Sequence, residues 1–296
     1  MPAGSVVRDV AAGISPRLAK AALAGVVDAR LVDLTFPLDR DSTVRIVTPE
    51  SPEALALCRH SAAHLLAAAV TNLFPDVQCG IGPATDEGFF YDFVVPRPFV
   101  PEDLEAIEKK MRDMAKRNLV YRREVIAKNE LVKLFEGRNE PLKCELIDEK
   151  ADTTATAYYI DGTEFVDFCL GPHVGHTGKL KAFKLLALSG AYWKGDADNQ
   201  QMQRIYGTAF ATQEELDNWV KQREEAEKRD HRKLGRELDL FSISDDYGQG
   251  LIFWHPKGGV MRMEMENLLK EELQKRGYSF VYTPHIAKRK LWEISG

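Results

Sequence analysis

The stretch ALALCRHSAAHLLAAAVTNLF, Ala54 to Phe74, decides how the chain is read. Alanine and leucine, both strong helix formers, dominate it, and Pro75 ends it, which predicts one long helix. His60 and His64 sit on it four residues apart. That spacing puts both imidazoles on one face, one turn from each other. Downstream, CGIGPATDEGFFYDF (Cys79 to Phe93) reads as glycine-punctuated strand and turn. PEDLEAIEKKMRDMAKRN (Pro101 to Asn118) reads as an amphipathic helix with acids at its start and bases at its end, as the helix dipole favours. Mixed strands and loops are expected from there to about Phe210.

Upstream, Ser5 is expected to cap a helix through VVRDVAAGI, and Ser15-Pro16 to start a second through RLAKAALAG, ending at Gly25. STVRIVT (Ser42 to Thr48) alternates and predicts a strand, and TPESPEA (Thr48 to Ala54) is a break that caps the long helix. TQEELDNWVKQREEAEKRDHRKLGREL (Thr212 to Leu238) predicts a single long charged helix capped by Thr212. Its basic end, Arg232 and Lys233 included, faces either solvent or a phosphate backbone. Gly259 to Ile286 predicts a helix, a break at Gly277 and a strand ending at Pro284.

With 296 residues the chain has room for two or three domains of roughly 100–200 residues each. Hydrophobic residues are 44% and charged residues 29%, values of a globular chain rather than a disordered one. A net charge of −5 neither announces nor excludes a nucleic-acid partner, because local basic faces matter more than the sum. Cys58, Cys79, Cys144 and Cys169 lack the dense spacing of a disulfide scaffold, so free thiols in a reducing, cytoplasmic setting are expected. Arg8, Asp9, Arg17 and Lys20 interrupt the alanine-rich start, which is therefore neither a signal peptide nor a membrane span, and no apolar run of spanning length is expected elsewhere.

The second chemical feature is DFCLGPHVGH, Asp167 to His176, where Cys169 and His173 are again four apart around a Gly-Pro turn. The two pairs together offer three imidazoles and a thiol. That is a full ligand set for tetrahedral zinc, or an acid, base and nucleophile set for hydrolysis. The plainer alternative makes His60 and His64 interior residues of an amphipathic helix and Cys169 a small buried hydrophobe.

RHSAAHLL, IGPATDEGFFYDF, DFCLGPHV, SGAYWKGD and QRIYGTAF resemble, in order and spacing, the editing domain of bacterial threonyl-tRNA synthetases. The H-x3-H and C-x3-H pairs are shared with alanyl-tRNA synthetases. Residues 1–49 resemble the ubiquitin-like TGS module without its first hairpin. Residues 239–296 resemble the start of a class II catalytic domain, in which KRGYSFVYTPHI fits the first motif and Pro284 its dimer-interface proline. The resemblance implies an α+β fold: a partial β-grasp module (1–49), an α+β editing domain (50–211), a linker helix (212–238) and the opening of an antiparallel-sheet domain (239–296).

The resemblance also implies a function. Threonine and serine differ by a methyl group, which supplies only about 1–3 kcal/mol of discrimination, so a second site that hydrolyses seryl-tRNA(Thr) is the expected remedy. Its pocket would be lined by His60, His64, Lys143, Asp167, Cys169 and His173. His60 and His64 would handle the water, Lys143 would position water or stabilise the oxyanion, and Asp167 would hold the substrate ammonium. From its neighbours alone, Lys143 reads as a surface lysine flanking a strand. Lys179, Lys181 and Lys184 would meet tRNA. The editing reaction is expected to need no cofactor, with zinc on His60, His64, Cys169 and His173 as the alternative. ATP, magnesium and a catalytic-domain zinc belong to parts expected beyond Gly296, so the chain alone is not expected to make aminoacyl-tRNA. The parent is expected to be a homodimer. Two competing readings are a free-standing trans-editing deacylase and a structural zinc or RNA-binding module.

Overall fold

The computed structural model describes every residue except Met1, Ala3, Asp245, Tyr247, Gln249, Ala287 and Gly296, together with the side chains of all others save Trp292 and Ser295. It divides into two units, Met1–Trp219 and Val220–Gly296. Helix and strand mix in both, as an α+β chain requires.

The first unit opens with a small sheet. Ala24–Val27 is its central strand, antiparallel to Arg30–Val32 on one side and Val44–Val47 on the other. Val7–Ile14 and Pro16–Ala21 are helical, and Val7, Ala11, Ala22, Val27, Val32 and Leu34 close a core of their own. Ser15 caps the second helix as expected, its Oγ accepting from the Leu18 amide at 3.1 Å. Two expectations fail here. Ser5 lies in a strand paired with Pro37–Leu38, and the first helix is closed instead by Asp9, which accepts from the Val6 amide. The second helix ends at Ala21 rather than Gly25, because Ala24 and Gly25 are needed in the central strand.

The long helix forms over Ala54–Leu73 and is the axis of the unit. Residues on all its sides are buried, as befits a helix covered all round. By length and composition it could cross a membrane, contrary to the expectation of no such run, yet 78% of that window is buried inside the protein. Among the described residues no side chain caps its start. Ser51 accepts from the Thr48 amide, so the preceding break is a turn rather than a cap. Against the helix pack Pro101–Lys116 and a four-stranded antiparallel sheet ordered Ala182–Tyr192, Gln201–Phe210, Phe89–Val94 and Gln78–Cys79. A second antiparallel sheet is ordered Val166–Phe168, Thr154–Ile160 and Tyr121–Ala127.

The expected run of strands and loops before Phe210 also holds two helices, Lys128–Gly137 and Pro141–Lys150. They form because Leu131, Phe135 and Ile147 pack on Ala155, Ala157 and Val166 of the second sheet. Ten-residue helices are marginal without such packing.

Thr212 and Glu215 exchange side-chain to backbone hydrogen bonds, a capping box that opens the helix Gln213–Lys228. The predicted single helix to Leu238 is in fact two. Asp230 turns its carboxylate onto the Arg232 amide and starts a separate helix, His231–Glu237. In the second unit a hairpin of Phe241–Ile243 and Ile252–Trp254 precedes the helix Pro256–Lys275. The expected strand ending at Pro284 is not formed: the described residues from Tyr278 to Ile286 have no ladder partner.

Candidate functional site

Three elements of the first unit converge on one point. The long helix brings His60, Ser61 and His64. The strand Val166–Phe168 brings Asp167, which faces Tyr158 across its antiparallel neighbour. The loop after that strand brings Cys169 and His173. The ligand atoms of His60, His64, Cys169 and His173 all lie within 4.8 Å of one another. The His60 and His173 rings stack at 4.4 Å, and His64 meets His173 edge-on at 4.3 Å. His60 Nε2 is 3.1 Å from Cys169 Sγ, which also accepts from the Gly171 amide. Ser61 Oγ lies 3.2 Å from His173 Nδ1 and accepts from the Val174 amide. Among the described residues, His64 Nδ1 and His173 Nε2 are buried without a hydrogen-bond partner.

Beneath the imidazoles lies a buried polar layer. Lys143, on the helix Pro141–Lys150, pairs with Asp167 Oδ1 and donates to the Tyr91 hydroxyl at 3.0 Å. Tyr91 in turn donates to Asp167 Oδ2 at 2.6 Å. Lys143 is only 2% exposed, so the alternative of a surface lysine is overturned. The residue sits on the inner face of a helix rather than beside a strand.

Electrostatics follow from burial. Burial drives His64 down to about 3, against the pull of Asp167, and drives His173 well below the usual histidine range. Burial also lowers His60. Three neutral imidazoles result, so the 3.6 Å approach of His64 Nδ1 to Asp167 is not an ion pair. Burial pushes the Cys169 thiol up to about 12, helped by the Asp167 charge, so it is a thiol and not a free thiolate. Burial alone would raise Asp167, but the Lys143 charge, with hydrogen bonds from Lys143 and Tyr91, outweighs it and holds the carboxylate low.

All six residues expected from the sequence thus meet at one place. Reading the sequence residue by residue missed Tyr91, Ser61 and Tyr158. Tyr91 had a signal: Phe89, Tyr91 and Phe93 alternate on one buried strand face, and a tyrosine there needs a partner for its hydroxyl. The basic residues are scattered by comparison. Lys179 donates to the Lys20 carbonyl and, with Arg8, Lys20, His176 and Lys181, lines a basic cleft. Lys184 is exposed on its strand. Arg232 is tied to Asp230, and Lys233 lies 4.0 Å from Glu237.

Residues 156–206 match the family model described as "Threonyl and Alanyl tRNA synthetase second additional domain", and residues 1–48 match the "TGS domain". The chain therefore carries a TGS domain followed by a domain of the type described for threonyl and alanyl tRNA synthetases. Over nearly its whole length the chain is similar to the N-terminal region of threonine–tRNA ligases. It is 51% identical over 293 residues to a threonine–tRNA ligase of Pelobacter propionicus, covering 99% of this chain and 46% of the relative. It is 51% identical over 287 residues to that of Magnetococcus marinus, covering 97% and 44%. With the enzyme of Geobacter sp. it shares 49% over 296 residues, covering 100% and 46%. The chain spans somewhat under half the length of these curated relatives.

Proposed function

We propose that the converged site hydrolyses the ester of serine on tRNA(Thr), and that the longer protein to which such a chain corresponds ligates threonine to that tRNA with ATP. The observation that carries the reading is the meeting of three neutral imidazoles and a thiol over the Lys143–Asp167–Tyr91 layer. It lies next to a domain match whose description names threonyl-tRNA synthetases.

His60 is the most accessible of the three histidines and is neutral, which suits it to take a proton from water and return it to the leaving ribose oxygen. His64 holds the water from beneath. Lys143 lends positive charge to the developing oxyanion. Asp167 keeps Lys143 charged and offers the pocket its negative end, toward the ammonium of the amino acid. Cys169 and His173 shape the end that admits serine and excludes the extra methyl group of threonine. Lys179, Lys181 and Lys184 are proposed to meet tRNA, with a weaker role for Arg232 and Lys233. The proposed boundaries are 1–49 for the TGS module, 50–211 for the editing domain, 212–238 for the linker and 239–296 for the start of the catalytic domain. There Pro284 belongs to the dimer motif of a homodimeric parent, and the setting is cytoplasmic.

A second reading is favoured by the unpartnered His64 Nδ1 and His173 Nε2. Both are free donors beside His60 and Cys169, and neutral imidazoles are the form that ligates, so the four side chains fit a zinc ion. With all four side chains as ligands, zinc there would be a closed structural site; it would act as a Lewis acid only if one of them gave way to substrate or water. Binding would release the Cys169 proton, as zinc does from a coordinating thiol.

The test follows release of labelled serine from seryl-tRNA(Thr), alongside threonyl-tRNA(Thr), in the presence of the chain and its His60→Ala variant. Serine lost, threonine spared and the variant slowed by roughly 10²–10⁴-fold is the expected result. Equal rates for parent and variant would remove His60 from the chemistry. Stoichiometric zinc in the purified chain, lost in Cys169→Ala, would move the reading to the metal.

A further inference from the structure

The Cys169–His173 loop is held from outside its own domain. Asp33 follows the strand Arg30–Val32 of the N-terminal sheet, far from the site in sequence. Its Oδ1 accepts from the His173 amide at 3.0 Å, and its Oδ2 accepts from the Tyr158 hydroxyl at 2.7 Å. Arg123 Nε, 3.8 Å away, balances the carboxylate, whose side chain is only 16% exposed. Tyr158 presents its ring edge to His173 at 4.5 Å. Its hydroxyl also fills the space where a side chain on Gly171 would stand, 1.9 Å from an ideal Cβ. One carboxylate therefore fixes the backbone of His173 directly and the loop before it through Tyr158. Its own domain adds further restraints: Ser61 Oγ, on the helix that bears His60 and His64, accepts from the Val174 amide, the Cys169 amide donates to the Thr156 carbonyl, and Thr156 Oγ1 donates to the Cys169 carbonyl.

A backbone amide at a loop is readily satisfied by water or by its own domain. Here it is satisfied by a charged acceptor on a separately cored module, and such hydrogen bonds are short and strong. We infer that Asp33 is a positioning residue of the editing site: through the His173 amide and Tyr158 it sets the C-x3-H loop against the H-x3-H helix, making the N-terminal module a structural part of the pocket. This rests on the hydrolytic reading above. It goes beyond that reading by giving the module a role in the rate of hydrolysis, apart from any role in holding tRNA.

The test compares Asp33→Ala, Asp33→Asn and the parent chain in single-turnover hydrolysis of seryl-tRNA(Thr) at varied protein concentration. Asp33→Ala is expected to lower the maximal rate by about 10-fold or more while the half-saturating concentration moves less than about 3-fold. Asparagine still accepts from the His173 amide and can donate to Tyr158, so Asp33→Asn is expected to stay within about 3-fold of the parent. An unchanged rate in Asp33→Ala, a change in half-saturation alone, or an equal loss in Asp33→Asn would each overturn the assignment. Tyr158→Phe removes one of the two contacts without touching the N-terminal module. It is expected to lower the rate by about 3–10-fold and serves as the test if Asp33→Ala does not fold.

A readout independent of hydrolysis is the rate at which N-ethylmaleimide alkylates Cys169, followed by peptide mass spectrometry. Release of the loop in Asp33→Ala is expected to raise it by about 10-fold or more, with Asp33→Asn near the parent. An unchanged rate would overturn the assignment. A parent that releases no serine, with Cys169 nevertheless unprotected in Asp33→Ala, would overturn the hydrolytic reading and leave the positioning contact standing.

Discussion

Lys143 shows what a single residue does here. Its ammonium is buried against Asp167, and each group holds the other charged: burial works against both, and the pairing outweighs it. Breaking such a pair from one side leaves an uncompensated buried charge, which typically costs about 3–5 kcal/mol. Lys143→Met is therefore expected to lower stability by that order in urea unfolding followed by Trp193 fluorescence, whereas Lys143→Met with Asp167→Leu recovers part of the loss. A single variant within about 1 kcal/mol of the parent would mean that the pair is not closed in solution. Nothing in PLKCELI distinguishes this lysine from a surface one. Its burial depends on a helix that forms only against the second sheet.

At the scale of elements, the helix Ala54–Leu73 and the loop Cys169–His176 behave differently. The helix was legible because its composition and its stop at Pro75 are local. The loop is shaped by what surrounds it. Gly171 has φ +68° and stands against Tyr158, so it meets both demands that exclude a side chain. Gly171→Ala is expected to cost about 1–3 kcal/mol in thermal or urea unfolding. Tyr158→Phe in the same chain should return part of that cost, because it removes the atom nearest the new Cβ. Strict additivity of the two changes would place their effects elsewhere. The break at Asp230 and the helices Lys128–Gly137 and Pro141–Lys150 were missed for a related reason. Short elements are chosen by packing and local capping more than by propensity.

For the whole molecule the buried imidazoles set a pH dependence. His60, His64 and His173 have folded pKa values below their unfolded ones, so the unfolded chain binds more protons once the pH falls below about 6.5. Stability then falls with pH, by about 1.4 kcal/mol per unit for each such histidine. Glu140, raised by burial to about 7, acts in the opposite direction: it takes up a proton in the folded state between pH 7 and its unfolded value, and so stabilises as pH falls. With these three imidazoles, joined by His176, which burial also lowers, against one carboxyl, unfolding free energy is expected to drop by roughly 2–4 kcal/mol from pH 7 to pH 5. Urea melts at the two values check this. A flat profile would mean that the three imidazoles are open to water.

The sequence by itself determined the local matters: the long helix, the caps at Ser15 and Thr212, the two i,i+4 pairs and, through the motifs around them, the kinship with threonyl-tRNA synthetase editing domains. These depend on neighbours a few residues apart, where propensity and spacing act. Only the tertiary structure decided that His60 and Cys169, 109 residues apart, stand 3.1 Å from each other. It also decided that Lys143 is buried on Asp167 and Tyr91, and that Asp33 reaches across from the N-terminal sheet to His173. Those contacts join residues far apart in the chain, and they exist because the packing of helix on sheet buries polar groups that then find their partners in one another.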